Sequence, residues 1–180
     1  QFTIDTIPPK FISLTPTDGS TVTTGLVTLQ GSLDDPTANV MLLDGSGTVV
    51  SLGTYRFAFA VVLKDGWNAF TLVARDPAGN QTAIPLRLYL MPLHTTVTEP
   101  LAGSTVNTDN LLLGGSFVGP ENTGITVNGI VALLDGDKFY VNNLPLKPGQ
   151  NTLTITLTAP DGTTRTQTVT VTSAGKNPLQ

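Results

Sequence analysis

The chain has 180 residues, of which 39% are hydrophobic and 12% charged, with 18 glycines, 13 prolines and no cysteine. This hydrophobic share excludes a disordered chain, and no apolar run approaches the ~20 residues needed to cross a bilayer. A net charge of −4 argues against nucleic acid or an anionic membrane as a partner, because both attract a basic surface.

The residue types favour an all-β protein without covalent cross-links. Glycine, proline, asparagine and threonine are frequent, and no long stretch has the 3.6-residue period of a helix. Without cysteine there is no disulfide, so each domain depends on its apolar core. The chain begins at Gln1 without an apolar leader, and we expect a mature form or a piece of a longer protein.

The first predicted element is an N-terminal arm, residues 1–9. Phe2 and Ile4 alternate with polar residues, which predicts a strand, and Pro8–Pro9 ends it before the first complete domain. Two explanations are open. The strand is either the last one of a preceding domain, or an arm whose Phe2 and Ile4 add to the sheet of a neighbouring subunit.

A repeated stretch then sets the domain organisation. Pro16–Val22 returns 84 residues later as Pro100–Val106, with Pro, Gly, Ser, Thr and Val in the same places. This displacement is about the length of one small β domain. We therefore predict one domain at residues 10–91, a second at 92–173 and an extended tail at 174–180.

Each copy contains about seven short apolar stretches separated by turn signals, the pattern of an immunoglobulin-like sandwich. The predicted core strand Phe57–Leu63 alternates large and small residues, and its counterpart Phe139–Leu146 is one residue longer. The extra residue predicts a β-bulge near Asn142 and Asn143.

The connections carry further predictions. Asn128–Gly129 predicts a tight hairpin turn, because both of its positions need a positive φ, and we expect Asp44–Gly45 to do the same in the first copy. Between the copies, Leu90–Thr95 is short and apolar and contains a proline, unlike a flexible tether. We predict a stiff joint whose apolar side chains pack between the two domains.

These motifs together resemble a known family. The pattern is Pro-x-x-Gly-Ser-x-Val, a strand ending in Gly, a Phe, Leu-x-x-Gly-x-Asn and the turn Asp76–Asn80. It resembles the bacterial immunoglobulin-like repeats that occur in tandem on large surface and secreted proteins. The resemblance implies two tandem sandwiches, an extracellular or cell-surface location and a spacer role in adhesins, fibrous proteins or multi-domain carbohydrate enzymes. The second copy departs from it at Ala159–Thr163, which lacks the Asp and the Asn.

We looked for catalytic and metal-binding residues and found few candidates. His94 is the only histidine and lies in the predicted joint, so neither a catalytic group nor a zinc site is indicated, and we predict a protein that is not an enzyme. Calcium is the one metal candidate, because Asp34, Asp35, Asp76 and Asn80 offer oxygen ligands in loops that can meet at one end of a sandwich. These residues also favour turns for backbone reasons, and both interpretations stay open.

Two aromatic residues are candidates for ligand binding. Trp67 stands at a turn where the second copy has Gln150, which predicts partial exposure. Three alternatives are open for the Trp67 ring, which packs on its own sandwich, on an adjoining domain or on a sugar. The same alternatives are open for Tyr55, which lies at a predicted strand edge.

The leading hypothesis is a non-catalytic structural or interaction module of an extracellular bacterial stalk, filament or adhesin. Its expected partners are neighbouring domains or subunits of the same protein, and a surface glycan or protein. One alternative is a carbohydrate-binding module that uses Trp67 and Tyr55. The other is a self-assembling filament subunit that donates its N-terminal strand.

Overall fold

The computed structural model describes residues 5–175, and all of the regular structure in this part of the chain is β-strand. The chain divides into two compact units between Met91 and Pro92. We call them the first and the second unit. Each has its own pair of sheets and its own apolar core.

The first unit contains eight strands within its described residues. They are β1 (Phe11–Thr15), β2 (Thr21–Val22), β3 (Leu26–Leu33), β4 (Asn39–Asp44), β5 (Val49–Thr54), β6 (Arg56–Val62), β7 (Gly66–Arg75) and β8 (Gln81–Leu90). One sheet has the order β1-β3-β6 and the other β2-β8-β7-β4-β5. All neighbours are antiparallel except β2 and β8, which are parallel.

The second unit repeats this arrangement with nine strands in its described part. They are β9 (His94–Glu99), β10 (Thr105–Val106), β11 (Asn110–Val118), β12 (Gly124–Val127), β13 (Ile130–Val131), β14 (Leu133–Asp135), β15 (Lys138–Pro145), β16 (Gly149–Thr158) and β17 (Thr164–Ser173). The sheets have the orders β14-β15-β11-β9 and β10-β17-β16-β12-β13. The parallel pair is β10 and β17. The strand counts exceed seven because very short strands supplement the long ones in both units.

The two-residue alternation of apolar residues along the strands explains which side chains form the two cores. Successive side chains of a strand point to opposite faces, so every second apolar residue meets the facing sheet. In the first unit Leu29, Leu42 and Leu72 are fully buried, and in the second Phe139 and Ile155 are. For two apolar residues of the joint the packing prediction is wrong. Leu90 belongs to the first core and Leu93 to the second, because each continues the alternation of its own unit.

In one core strand of each unit, a glycine makes room for a phenylalanine ring. A Cβ atom on Gly115 would collide with the backbone oxygen of Thr96 and lie 2.7 Å from Cε1 of Phe139. Gly31 has the same surroundings, formed by Ser13 and Phe57. The strand-ending glycine of the repeat therefore allows the neighbouring strand and the ring to approach closely.

Two of the three local predictions are confirmed. The register shifts opposite Leu112, and Asn143 there has a φ of 56°, so the predicted bulge exists. Asn128 and Gly129 have φ values of 50° and 82°, as the hairpin turn requires.

At Asp44–Gly45 the predicted hairpin exists, since β4 and β5 are antiparallel neighbours, but the predicted two-residue geometry is wrong. This turn is longer, and its positive φ is at Gly47. The Asp44 carboxylate organises it by accepting hydrogen bonds from the backbone N–H groups of Ser46 (2.9 Å) and Thr48 (3.0 Å). An aspartate that closes a turn through its side chain does not need the two-residue geometry.

The chain termini lie partly outside the described residues. Phe2 and Ile4 are among the residues that are not described. Asp5, Thr6 and Ile7 form no strand, so the strand prediction is wrong for them. The reason is local, because the Asp5 carboxylate accepts a hydrogen bond from the Ile7 N–H at 3.0 Å and Pro8 follows. Of the predicted tail, the structure describes Ala174 and Gly175.

Candidate functional site

The repeated stretch forms a backbone clasp between the beginning and the end of each unit. In the first unit Gly19 N–H donates to Arg87 O (2.8 Å), and Tyr89 N–H donates to Ser20 O (2.9 Å). Met91 N–H then donates to Val22 O (2.9 Å). We call these three bonds the terminal clasp.

The second unit has the same clasp in the same register. Gly103 N–H donates to Thr170 O (2.7 Å), Thr172 N–H to Ser104 O (2.9 Å) and Ala174 N–H to Val106 O (2.9 Å). Gly19 and Gly103 have φ values of 81° and 80°, which explains why both copies need glycine at this turn. The repeated stretch thus lies where the beginning of each unit is bonded to its end.

An ion pair reinforces the clasp in the first unit. The Asp18 carboxylate accepts the Arg87 backbone N–H at 2.7 Å and meets the Arg87 guanidinium at 3.1 Å. The side-chain hydrogen bond from Arg87, followed by its backbone one, lowers the pKa of Asp18. Since the second copy has Ala102 at this position, the ion pair belongs to the first unit alone.

An aromatic pair lies beside this clasp. Trp67, the second residue of β7, stands directly opposite the half-buried Tyr89 of β8, with ring centroids 5.1 Å apart in an edge-to-face arrangement. Trp67 is 64% exposed, which confirms the predicted partial exposure. The same positions of the second unit hold Gln150 and Thr172, so the pair has no counterpart there.

The turn that carries Trp67 is closed by an asparagine side chain. The Asn68 amide accepts from Lys64 N–H (2.9 Å) and donates to Lys64 O (2.7 Å) and Gly66 O (3.0 Å). Asn151 makes the same three bonds in the second unit. The Leu-x-x-Gly-x-Asn motif therefore builds the turn and leaves the side chain before the asparagine free to face outwards.

Tyr55 and Trp67 do not form one site. Tyr55 directly follows β5. The last residue of β5 and Arg75, the last residue of β7, pair with the same residue of β4 from its two sides. Trp67 is eight residues before Arg75, a distance of about 26 Å along a strand. Tyr55 is half-buried against the first core, and the Arg56 guanidinium lies 5.7 Å from its ring centre. The structure therefore pairs Trp67 with Tyr89 and places Tyr55 elsewhere.

The calcium candidates serve as hydrogen-bond partners of other groups in the first unit. Asp34 accepts the Lys10 N–H (2.7 Å), and Asp35 accepts the N–H (2.8 Å) and hydroxyl (2.7 Å) of Thr37. Asp76 accepts the backbone N–H and the side-chain amide of Asn80, both at 2.8 Å. Within residues 5–175, no three His, Asp or Glu side chains come together as metal ligands would. The turn interpretation accounts for the contacts of Asp35 and Asp76 with Thr37 and Asn80, whereas Asp34 joins two segments that are distant in the chain.

Asp76 is the one buried carboxylate of this group, with an exposed fraction of 5%. Burial by itself raises its pKa, but the side-chain and backbone hydrogen bonds from Asn80 outweigh burial and hold the pKa below its ordinary value. The Asn80 amide also donates to Asp5 O (3.1 Å), so the network ties the start of the described chain to the β7–β8 turn. The second copy, with Ala159 at the Asp76 position, lacks it.

The remaining candidate, His94, is the first residue of β9 and is exposed. Its ring nitrogen Nε2 lies 3.4 Å from the Thr96 hydroxyl. In the described part of the chain there is no helix long and apolar enough to span a bilayer.

Comparison with known proteins identifies the fold. A variant fragment of three titin immunoglobulin domains matches with a TM-score of 0.54 and 11% identity, over 94% of this chain and 66% of the fragment. A second titin I-band fragment matches with a TM-score of 0.53, 11% identity and the same coverage. The fibronectin(III)-like modules of Clostridium thermocellum CbhA match at 0.42 with 14% identity, over 92% of this chain and 95% of theirs. No protein-family model matches, and no curated protein matches either.

The fold prediction is thereby confirmed: the chain is all-β and consists of two tandem immunoglobulin-like sandwiches. Two features of the site were missed. Tyr89 was not recognised as the partner of Trp67, although its position on the last long strand of the copy, where the second copy has Thr172, was a usable signal. The clasp was missed because its bonds involve backbone groups, which a sequence pattern does not show.

Proposed function

We propose that this chain is a non-catalytic structural module of an extracellular bacterial stalk, filament or adhesin, and that each unit resists tension applied through the chain. The observation that supports this proposal is the terminal clasp, which is present in both units with the same register.

The direction of the paired strands gives the physical reason. β2 lies near the start of the first unit and β8 at its end, and the two are parallel. Tension on the chain therefore pulls these neighbours in opposite directions along their length. All three clasp bonds are then stretched at once, whereas pulling an edge strand sideways would break them one after another. The same reasoning applies to β10 and β17.

A single-molecule pulling experiment on the full chain tests this role. We expect two unfolding events, one for each unit. Ala174→Pro removes the N–H that bonds to Val106 O, while Ala174→Ser keeps it and serves as the control. Ala174 is exposed, and the net loss of one hydrogen bond is about 1 kcal/mol, so the second unit still folds.

We expect the Ala174→Pro variant to retain one event at the original force and to show the other at a clearly lower force. The serine variant should behave like the unchanged protein. If both events keep their force in the proline variant, the clasp does not determine the resistance, and the proposed role loses its support.

A second candidate function is recognition of a surface glycan or protein through Trp67 and Tyr89. The specific observation is that a 64% exposed tryptophan and its edge-to-face partner are present in only one of the two units, although both have the same turn and strand pairing at this place. An exposed indole beside a tyrosine hydroxyl offers a flat surface for a sugar ring together with a hydrogen-bonding group.

The matched variant is Trp67→Gln, which gives the first unit the residue of the second. In a glycan-array screen, we expect binding by the unchanged chain and at least a tenfold loss in the variant, about 1.4 kcal/mol. The melting temperature should stay close to that of the unchanged chain, since Trp67 covers little of the core. Equal binding by both proteins would remove this candidate and leave the tension-resisting role untouched.

A further inference from the structure

The four sheets of the described chain have eight edges, and seven of them are protected against pairing with other chains. The edge strands β2, β10 and β13 have two residues each and β14 has three. The edge strands β1, β5 and β9 have register shifts against their neighbours. Short strands and bulges are the usual means of preventing edge-to-edge association.

The eighth edge, β6, has none of these protections. It is seven residues long, keeps an unbroken register with β3 and contains no proline, and its only charged residue is Arg56 at its start. The equivalent strand of the second unit, β15, is covered by β14 over Lys138–Tyr140. The first unit has no strand at the β14 position, because one residue, Tyr55, connects β5 directly to β6.

The hydrogen-bond pattern shows which groups of β6 face the open side. Leu63 N–H donates to Gly25 O (2.7 Å), and Leu33 N–H donates to Tyr55 O (2.8 Å), so the odd-numbered residues bond to β3. In an antiparallel ladder the backbone N–H and C=O groups of successive residues point to opposite sides of the strand within the sheet. The backbone groups of Ala58, Ala60 and Val62 therefore face away from the sheet.

A groove of mixed character lies beside this edge. It has a volume of about 490 Å³, and its lining includes the apolar Val50 of β5 and Val62 of β6 together with the charged Asp44 and Lys64. Val50 is 50% and Val62 82% exposed. Exposed apolar side chains beside unpaired backbone groups have the composition of an association surface.

We propose that β6 is a dimerisation edge, where the first units of two copies of this chain join their sheets by pairing β6 with β6. The strand is complementary to itself in the antiparallel sense. With a two-fold axis at Phe59, Ala58 of each copy stands opposite Ala60 of the other, and the two residues exchange N–H and C=O groups.

The side chains also fit a second copy. Ala58 and Ala60 are small and exposed, so two such edges can approach without a steric clash. The two-fold axis also places Val62 of each copy opposite Arg56 of the other, so the aliphatic part of the arginine covers the exposed valine and removes apolar surface from water. The pairing uses none of the clasp bonds and neither ring of the aromatic pair, so it holds or fails independently of the proposed function.

Sedimentation velocity of the full chain over a wide concentration series is the test. We expect a concentration-dependent dimer. Ala60→Pro removes an N–H on the open side while the bonds to β3 remain, and Ala60→Ser is the matched control that keeps the N–H. A dimer contains Ala60 twice, so the proline variant loses two bonds and should dimerise about 30-fold more weakly. The serine variant should dimerise like the unchanged chain.

A second measurement does not depend on any variant. Amide hydrogen exchange at Ala58, Ala60 and Val62 should slow when the unchanged chain is concentrated, whereas exchange in β15 should not. The proposal is overturned if the chain is monomeric at every concentration. It is equally overturned if a folded Ala60→Pro variant dimerises with full strength, or if exchange at these three amides is the same in dilute and concentrated samples.

Discussion

The adjacent glycines 114 and 115 provide a sharp test of how the second core is packed. A methyl group on Gly115 would meet the Thr96 backbone oxygen and the Phe139 ring, with ring atoms at 2.7 and 2.9 Å. On Gly114 it would meet the Tyr140 ring at 3.2 Å, which can shift. Neither glycine has a positive φ, so backbone strain does not confuse the comparison.

We expect Gly115→Ala to be far more destabilising than Gly114→Ala. Overpacking a rigid core costs up to about 3 kcal/mol, and Gly115→Ala should reach that limit because a backbone oxygen and a fully buried ring are the obstacles. For a domain of this size, this corresponds to a fall in melting temperature of about 12 to 24 °C. Gly114→Ala should stay within about 1 kcal/mol of the unchanged chain, because alanine also restricts the unfolded chain.

Differential scanning calorimetry of the full chain measures both variants, and chemical denaturation at 25 °C gives the free energies of unfolding. Gly31→Ala, which has the equivalent surroundings in the first unit, should repeat the large effect there. Equal stability of Gly114→Ala and Gly115→Ala would refute the reasoning. It would mean that strand and ring yield easily, and that the repeated glycine has another cause.

Three further predictions concern the turns and the core. Asp76→Asn should weaken the pH dependence that urea unfolding shows for the free energy of unfolding in acid. Because folding lowers the Asp76 pKa, the carboxylate stabilises the fold above its ordinary pKa of about 3.9, and this stabilisation is lost as the pH falls through the lower value. An unchanged pH dependence would contradict this. Asn68→Ala removes three turn bonds and should cost about 1–3 kcal/mol in chemical denaturation, as should Asn151→Ala; no loss in either variant would show that the turn holds without its amide. Phe139→Ala should lower stability by about 3–5 kcal/mol, since the ring is fully buried, and a cost below 1 kcal/mol would mean that the core closes around the cavity.

The sequence predicted what depends on local pattern and on repetition. Alternation identified the core strands, and the one-residue difference between Phe57–Leu63 and Phe139–Leu146 located the bulge at Asn143. The turn at Asn128 followed from its need for a positive φ. These features are determined by residues close to each other in the chain.

Contacts between distant residues were not predictable in the same way. The pairing of Trp67 with Tyr89 depends on the register of two strands, and a shift of one residue would have put Tyr89 on the other face. Leu90 and Leu93 were misassigned for the opposite reason. A short apolar run between two domains fits two arrangements equally well: its side chains pack between the domains, or they extend the core of each domain. Only the packing within each unit shows which arrangement is present.

The asparagine-closed turn has a consequence for variation between repeats. The side-chain amides of Asn68 and Asn151 hold the turn backbone in place. The side chain of the residue just before each asparagine is therefore not needed to form the turn. Tryptophan and glutamine occupy that place in one protein on nearly the same scaffold. It is a natural presentation site, where selection or an engineer can exchange one surface chemistry for another without redesigning the domain beneath.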